Sequence, residues 1–286
     1  MDKLTSILAV VDRPEAGGAI LDKSVALARR FGAPIDMIVG DPAHARALTS
    51  LCSRLGYRNV TIEIMNLVKR PLREIIVDRV RERQPDLVIK APAGTHPMRR
   101  WTFDSNDWKL ANESTVPLLL VRDTAWSEPP RFAAAVDVAG EENALIARGI
   151  LQAAGFLALG CRADLDILYC ERETREQQAY VGHSDKLAQL VREFHVGRER
   201  LQIFFGRPEK VLPPKVAALR YDVLVLGSRR GEEGFLGTLG GMTNRLVEAT
   251  RGDVLLVRAN CGAAALPLAG DASAREQRPH QAEQFL

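Results

Sequence analysis

The sequence is poor in the features that mark several large classes of protein. Its 286 residues hold 4 cysteines, and Cys52, Cys161, Cys170 and Cys261 lie scattered without a CxxC spacing. That distribution argues against a disulfide scaffold, a zinc site and a redox pair, and predicts reduced thiols packed as small apolar groups. Charge of one sign is scarce too: 39 Lys and Arg against 36 Asp and Glu leave a net +3. So even a balance gives no electrostatic footprint for nucleic acid or an anionic membrane, and neither partner is expected. Long uncharged runs are missing as well. The most apolar window, Ala144 to Cys161, is broken by Arg148, Gln152 and three glycines, whereas a spanning helix needs about 20 nearly uncharged residues. It reads as a buried helix of a soluble protein.

Targeting and catalytic signatures are also sparse. After Lys3 only a short apolar run follows, and Asp12, Arg13 and Pro14 stand where a small-residue cleavage site would fall, which predicts a cytoplasmic protein. Neither GxxxxGK[ST] nor GxGxxG occurs, so a P-loop and a dinucleotide fingerprint are both missing. The five histidines, His44, His96, His183, His195 and His280, form no HExxH pair. Gly227-Ser228-Arg229-Arg230-Gly231 puts its serine one place early for a GxSxG elbow. No set of nucleophile, base and oxyanion donors can be named, and no metal site either.

What is present is a repeated pattern. At roughly 100 to 200 residues per domain, a chain of this length should hold two. Short apolar runs alternate with longer segments of helical period, as in parallel strands covered by helices. In the first half the runs are Ser6 to Val11, Ile35 to Val39, Val60 to Leu67, Leu87 to Ile89 and Leu118 to Val121. Helices are predicted over Ala19 to Phe31, Ala43 to Leu55 and Pro71 to Arg83. The second half repeats the order with runs at Ala133 to Val138, Leu165 to Tyr169, Leu201 to Phe205, Val223 to Leu226 and Val254 to Val257, and a long helix through Asn143 to Leu159. Landmarks recur in sequence: Asp12 answers Asp137 at an offset of 125, and Leu118 to Arg122 answers Val254 to Arg258 at 136. The growth of about 11 residues places an insertion in the long first helix of the second copy or in the polar stretch Glu171 to Ser184. The division expected is a first domain over 1–124, a proline-ended linker over 125–130, a second domain over 131–259 and a disordered tail over 260–286.

One segment stands out chemically. Between the Val223 strand and a helix beginning near Met242 lie six glycines in the 15 residues from Gly227 to Gly241. Open α/β sheets bind ligands at this kind of place, between a strand's carboxyl end and a helix's amino end. Glycines let backbone N–H groups approach phosphate, and Ser228, Arg229 and Arg230 add donors. A mobile connector is the alternative reading. In the first copy the matching stretch carries one glycine and two prolines, poor material for a phosphate loop. Its Lys90, His96, Arg99, Arg100 and Trp101 read either as an anion site or as a basic solvated loop.

These residues together resemble the universal stress proteins, in their tandem-domain, UspE-like branch. The resemblance is carried by Asp12 and Asp137, Gly206-Arg207-Pro208-Glu209-Lys210-Val211-Leu212, the Tyr221-to-Gly227 strand, the glycine loop and Gly252-Asp253-Val254-Leu255-Leu256-Val257. It covers about residues 4 to 259. The resemblance implies two tandem α/β, Rossmann-like domains of the adenine nucleotide alpha hydrolase type, each a five-stranded parallel sheet flanked by helices, packed as an internal pseudo-dimer. It further implies a stress-response, ligand-sensing protein, with ATP bound in some members through G-x2-G-x9-G-[ST] and the first strand's aspartate, and magnesium accompanying the ATP. Carried over by position, Asp137 would meet the adenosine portion and Gly227 and Gly240 would be the first and third glycines. Phosphates would then sit at the Gly240-Gly241 helix start, beside Ser228. Two positions depart from the pattern: Arg230 stands at the second glycine, with Gly231 one residue late, and Gly241 replaces the Ser/Thr unless Thr238 or Thr243 substitutes. The rival readings are an adenine-nucleotide-using α/β enzyme with weak ATPase activity, and a scaffold for a non-nucleotide metabolite or protein. A homodimer of such chains is compatible with any of them.

Overall fold

The computed structural model of the protein describes residues 4–65, 70–92, 110–111, 113–171, 180–194, 196–228 and 241–258. In the first half the elements are β1 (Ile7–Val11), α1 (Gly17–Phe31), β2 (Ile35–Val39), α2 (Pro42–Leu55), β3 (Val60–Ile64), α3 (Leu72–Arg83), β4 (Leu87–Lys90) and β5 (Leu118–Leu120). The second half runs β6 (Arg131–Val136), α4 (Glu141–Cys161), β7 (Asp164–Glu171), α5 (Tyr180–Glu193), β8 (Leu201–Phe205), α6 (Pro208–Leu219), β9 (Val223–Ser228), α7 (Gly241–Ala249) and β10 (Asp253–Arg258). Helix limits follow local chemistry. Gly32 and Gly56 take left-handed φ of 67° and 65° to close α1 and α2, and Asp41 caps α2 by accepting from the Ala43 N–H ahead of Pro42.

The ten strands among the described residues join one sheet, in the order β3-β2-β1-β4-β5-β10-β9-β6-β7-β8. Pairing is parallel within each half, and β5 meets β10 antiparallel. Period-two alternation sends Ile7, Ala9 and Val11 to one face and Leu8 and Val10 to the other, and both faces are buried. On the first face lie α1, α2, α4 and α5; α3, α6 and α7 cover the second. The result is a three-layer α/β/α protein with the expected class of fold.

The seam is a pseudo-two-fold axis. Leu119 faces Leu255, its own equivalent in the second copy. Around that point Arg122 Nη2 donates to the Thr250 carbonyl at 2.7 Å while Arg258 Nη1 donates to the Ser114 carbonyl at 3.3 Å. Arg258 is the equivalent of Arg122, and Thr250 that of Ser114, so the contact is isologous inside one chain. Above it Phe31 of α1 stacks on Phe156 of α4, ring centroids 4.7 Å apart. These two rings are also equivalents, at the same offset as Asp12 and Asp137.

Strand register also locates the inserted residues. Ile7 pairs with Ile35 and Phe132 with Leu165, so the offset between equivalents has grown from 125 to 130 by the second strand. Met37 pairs with Ile62 and its equivalent Ile167 with Leu201, which takes it to 139 by the third. Both alternatives offered by the sequence therefore hold: α4 has 21 residues against 15 in α1, and the rest enters between β7 and β8. Part of the stretch that reads as merely polar is helix α5. Residues 66 and 67, the end of the longer third strand expected from the sequence, and the tail over 260–286 fall outside the described residues.

By length and composition α4 is apolar enough to cross a membrane. Here Ile146, Ala147, Ile150, Leu151, Ala154, Leu157 and Ala158 are buried against the sheet, as a core helix requires. Cys52, Cys161 and Cys170 are buried thiols that form no disulfide among the described residues. Ahead of β6 the connecting segment is mostly exposed but firmly tied: Trp126 Nε1 donates to Asp253 Oδ2 at 2.8 Å, and the Ser127 N–H and hydroxyl both donate to Asp222.

Candidate ligand site at the carboxyl ends of the strands

Asp12 and Asp137 each follow the last residue of the central strand of their half, at the edge of the sheet where the parallel strands end. Equivalent in sequence, they are opposite in circumstance. Asp12 lies 3.2 Å from the ammonium of Lys90, whose residue is 3 % exposed. That ammonium also donates to the Ala91 carbonyl at 2.8 Å. Arg13 donates across to the Pro92 carbonyl, fastening the chain that leaves β4. Asp12 Oδ1 is buried with no hydrogen-bond partner among the described residues. The first-half carboxylate is thus neutralised and covered by its own chain.

This corrects one reading of the sequence, which groups Lys90 with His96, Arg99 and Arg100 in a basic loop. Lys90 is instead the last residue of β4, on the same face as Val88 and Val10, because the alternation of the strand continues through it. His96, Arg99, Arg100 and Trp101 lie outside the described residues.

Asp137 is exposed and has no cation beside it among the described residues. Its Oδ1 accepts from the Ala139 N–H at 2.8 Å and its Oδ2 from Asn143 Nδ2 at 2.9 Å. The first is an Asx turn; the second ties the carboxylate to the first turn of α4. A carboxylate aimed this way is preorganised as a hydrogen-bond acceptor.

Beside it β7 supplies groups that the sequence reading missed. Tyr169 donates its hydroxyl to Glu171 Oε2 at 2.8 Å, with the two residues 3 % and 7 % exposed. Burial pushes the Tyr169 phenol well above its ordinary range, reinforced by the bond to Glu171 and by the negative charges of Glu171 and Asp137. The first half has Val39 and Asp41 at these places. The signal was present as Tyr-Cys-Glu closing an apolar run, where a strand end would expose it to ligand.

Of the glycine loop, Gly227, Ser228 and Gly241 are described at its two ends. A Cβ at Gly227 would come within 2.6 Å of Ile146 Cγ2 and 3.0 Å of Ile150 Cδ1, so this glycine lets α4 lie close on β9. Its carbonyl accepts from the Thr243 hydroxyl at 3.4 Å. Ser228 is the last residue of β9 and Gly241 the first of α7. Arg229, Arg230, Gly231, Thr238 and Gly240 lie outside the described residues. Among the described residues no group of three His, Cys, Asp or Glu is arranged to hold a metal ion.

Taken together, a duplicated α/β/α unit with one covered and one open strand-end aspartate defines a tandem, Rossmann-like class of α/β protein. No family model matches the chain. It is 24 % identical over 207 residues to the universal stress protein E homolog of Haemophilus influenzae, covering 65 % of this chain and 67 % of that protein. It is 23 % identical over 204 residues to universal stress protein E of Salmonella typhi, covering 65 % and 64 %; the match thus spans about two thirds of each relative. A Pseudomonas aeruginosa structure classed with the universal stress proteins superposes with a TM-score of 0.75 over 90 % of this chain and 94 % of its own, at 22 % identity. The chain is thus similar to universal stress proteins E over about two thirds of its length and shares the fold of the Pseudomonas aeruginosa protein.

Proposed function

We propose that the chain is a tandem universal stress protein, a cytoplasmic ligand-sensing module whose second half binds an adenine nucleotide while its first half serves as a structural partner. The observation that carries the reading is the contrast between the two equivalent aspartates. Asp12 is committed to Lys90, and Asp137 offers both oxygens in a fixed orientation to a donor-bearing group such as a nucleoside. The residues present fit such a ligand: Asp137 as acceptor, the Ser228 end of β9 and the Gly241 start of α7 flanking the place where phosphate would meet backbone N–H groups. Arg230, Gly231 and Gly240 complete the proposed set, with ATP and its magnesium as the ligand. Gly227 belongs to it through its backbone, since its missing Cβ is explained by Ile146 and Ile150. Domain limits of 1–124 and 131–259, joined by 125–130, go with this proposal.

The test is calorimetry and thermal shift of the purified protein with ATP and magnesium. Binding should fall by about tenfold or more in Asp137→Ala, the worth of a charge-assisted hydrogen bond, and stay unchanged in Asp12→Asn. Equal binding by Asp137→Ala and the parent protein would overturn the assignment. Phosphate release that scales with protein and disappears in Asp137→Ala would move the reading to an ATPase.

A further inference from the structure

A cleft lies at the opposite, amino-terminal edge of the sheet, apart from Asp137. It is an open groove of about 410 Å³ between the ends of α1 and α4 and the connecting segment, with Arg30, Trp126, Pro129, Cys161 and Arg162 among its walls. That volume is within the range of small-molecule sites, which favour junctions between domains.

Three observations give the cleft a chemistry. Its wall is rigid, because Trp126 is held by its bond to Asp253, by edge contact with Phe132 at 5.7 Å and by the Lys23 ammonium 5.5 Å from its ring centre. Ser127 is anchored twice on Asp222. Two arginines from different helices line it, Arg30 in the last turn of α1 and Arg162 at the cap of α4; both are exposed, and neither has an ion-pair or hydrogen-bond acceptor among the described residues. The Arg30 charge reaches the buried end of the cleft: burial pushes the Cys161 thiol up to about 11, and Arg30 opposes it. Glu128 on the wall offsets one of the two positive charges and leaves a net excess. Half-buried Trp126 with Pro129 and Pro130 supplies a flat apolar surface.

We infer that this seam cleft binds a small anion carrying a planar group, with a carboxylate or phosphate held between Arg30 and Arg162 and the ring laid against Trp126. Guanidinium forks match either oxyanion in a bidentate manner, and an indole face accepts a ring.

Phenyl phosphate and benzoate are the probes, with inorganic phosphate, phenol and potassium chloride at matched ionic strength as controls. Trp101 and Trp108 are replaced by Phe so that Trp126 alone reports. Either aromatic anion should quench Trp126 fluorescence and raise the melting temperature, phenol and chloride should not, and the stronger of the two anions tells phosphate from carboxylate preference. Arg30→Gln and Arg162→Gln should each weaken binding by about tenfold, and Asp137→Ala should leave it unchanged, which separates this site from the nucleotide proposal. Where a Gln variant is itself unstable, Arg→Lys at the same position keeps the charge, loses the fork and should still bind more weakly. No response up to about 10 mM, an equal response to chloride, or undiminished binding by both Gln variants would each overturn the inference.

Discussion

Lys23 in α1 and Asp253 at the start of β10, far apart in the chain, form a buried ion pair with Nζ 2.5 Å from Oδ2. It has no counterpart across the pseudo-two-fold axis, where Arg148 and Pro117 stand in the equivalent places. Asp253 further accepts from the Arg122 N–H at 2.8 Å and from Trp126, so one carboxylate joins a first-half helix, the connecting segment and a second-half strand. Burial pushes its carboxyl up, and Lys23 is the main group pulling it back. Replacing either partner alone should cost about 3 to 5 kcal/mol, because a buried charge is left without compensation. Lys23→Met with Asp253→Asn together should recover much of that loss. Urea denaturation of the four proteins gives the coupling directly.

The Lys90–Asp12 pair makes a parallel prediction with the opposite functional weight. Asp12→Asn should destabilise by about 1 to 3 kcal/mol, since the Lys90 ammonium then loses its charged partner. Asp137→Asn should change stability by under about 1 kcal/mol, because the group is exposed and the amide oxygen can keep one of the two bonds. Chemical denaturation without ligand distinguishes them.

Gly227→Ala tests whether that glycine is a packing residue. The added Cβ meets Cγ2 of Ile146, a branch carbon fixed one bond from its Cβ, and the Cδ1 tip of Ile150, so we expect a loss of about 1 to 3 kcal/mol in ligand-free protein. Removing the clashing methyl, Gly227→Ala with Ile146→Ala should cost less than the sum of the two single changes. No change in melting temperature would show the contact to be soft.

Alkaline pH should unfold the protein through its tyrosines. Burial raises the Tyr169 and Tyr221 phenols above their ordinary value of 10.0, helped by Glu171 and Asp166 respectively. A group whose folded pKa is raised contributes stability that is whole below its unfolded pKa and lost as pH rises through the folded one. Stability should therefore hold to about pH 10 and fall above it, with tyrosinate absorbance for these two residues appearing together with unfolding. The Tyr169→Phe and Tyr221→Phe proteins should show shallower alkaline profiles.

Much of this architecture was legible in the residues. The alternation of apolar runs with helical segments, and the recurrence of Asp12 at Asp137, led to the duplicated unit because both depend on local periodicity. Lys90 was not legible, since a lysine after three apolar residues looks like the start of a loop, and only Asp12, at the end of a strand much earlier in the chain, explains its burial. The Tyr169–Glu171 pair was hidden for a similar reason: a strand's last residues acquire meaning from the neighbouring strand's end. Gly227 was legible as a glycine that matters, but its partner Ile146 belongs to a helix from the start of the second half, so packing could not be told from ligand approach.

The antiparallel junction of β5 with β10 changes how the halves depend on each other. Two separate copies would meet only as often as their concentration allowed, and both would have to keep whatever surface and site the pair required. Joined by a short tether, the halves sit at a high effective concentration whatever the amount of protein in solution. Dilution should then leave the seam intact. Released from the need to be identical, one half is free to fill its pocket with its own lysine while the other keeps an open carboxylate.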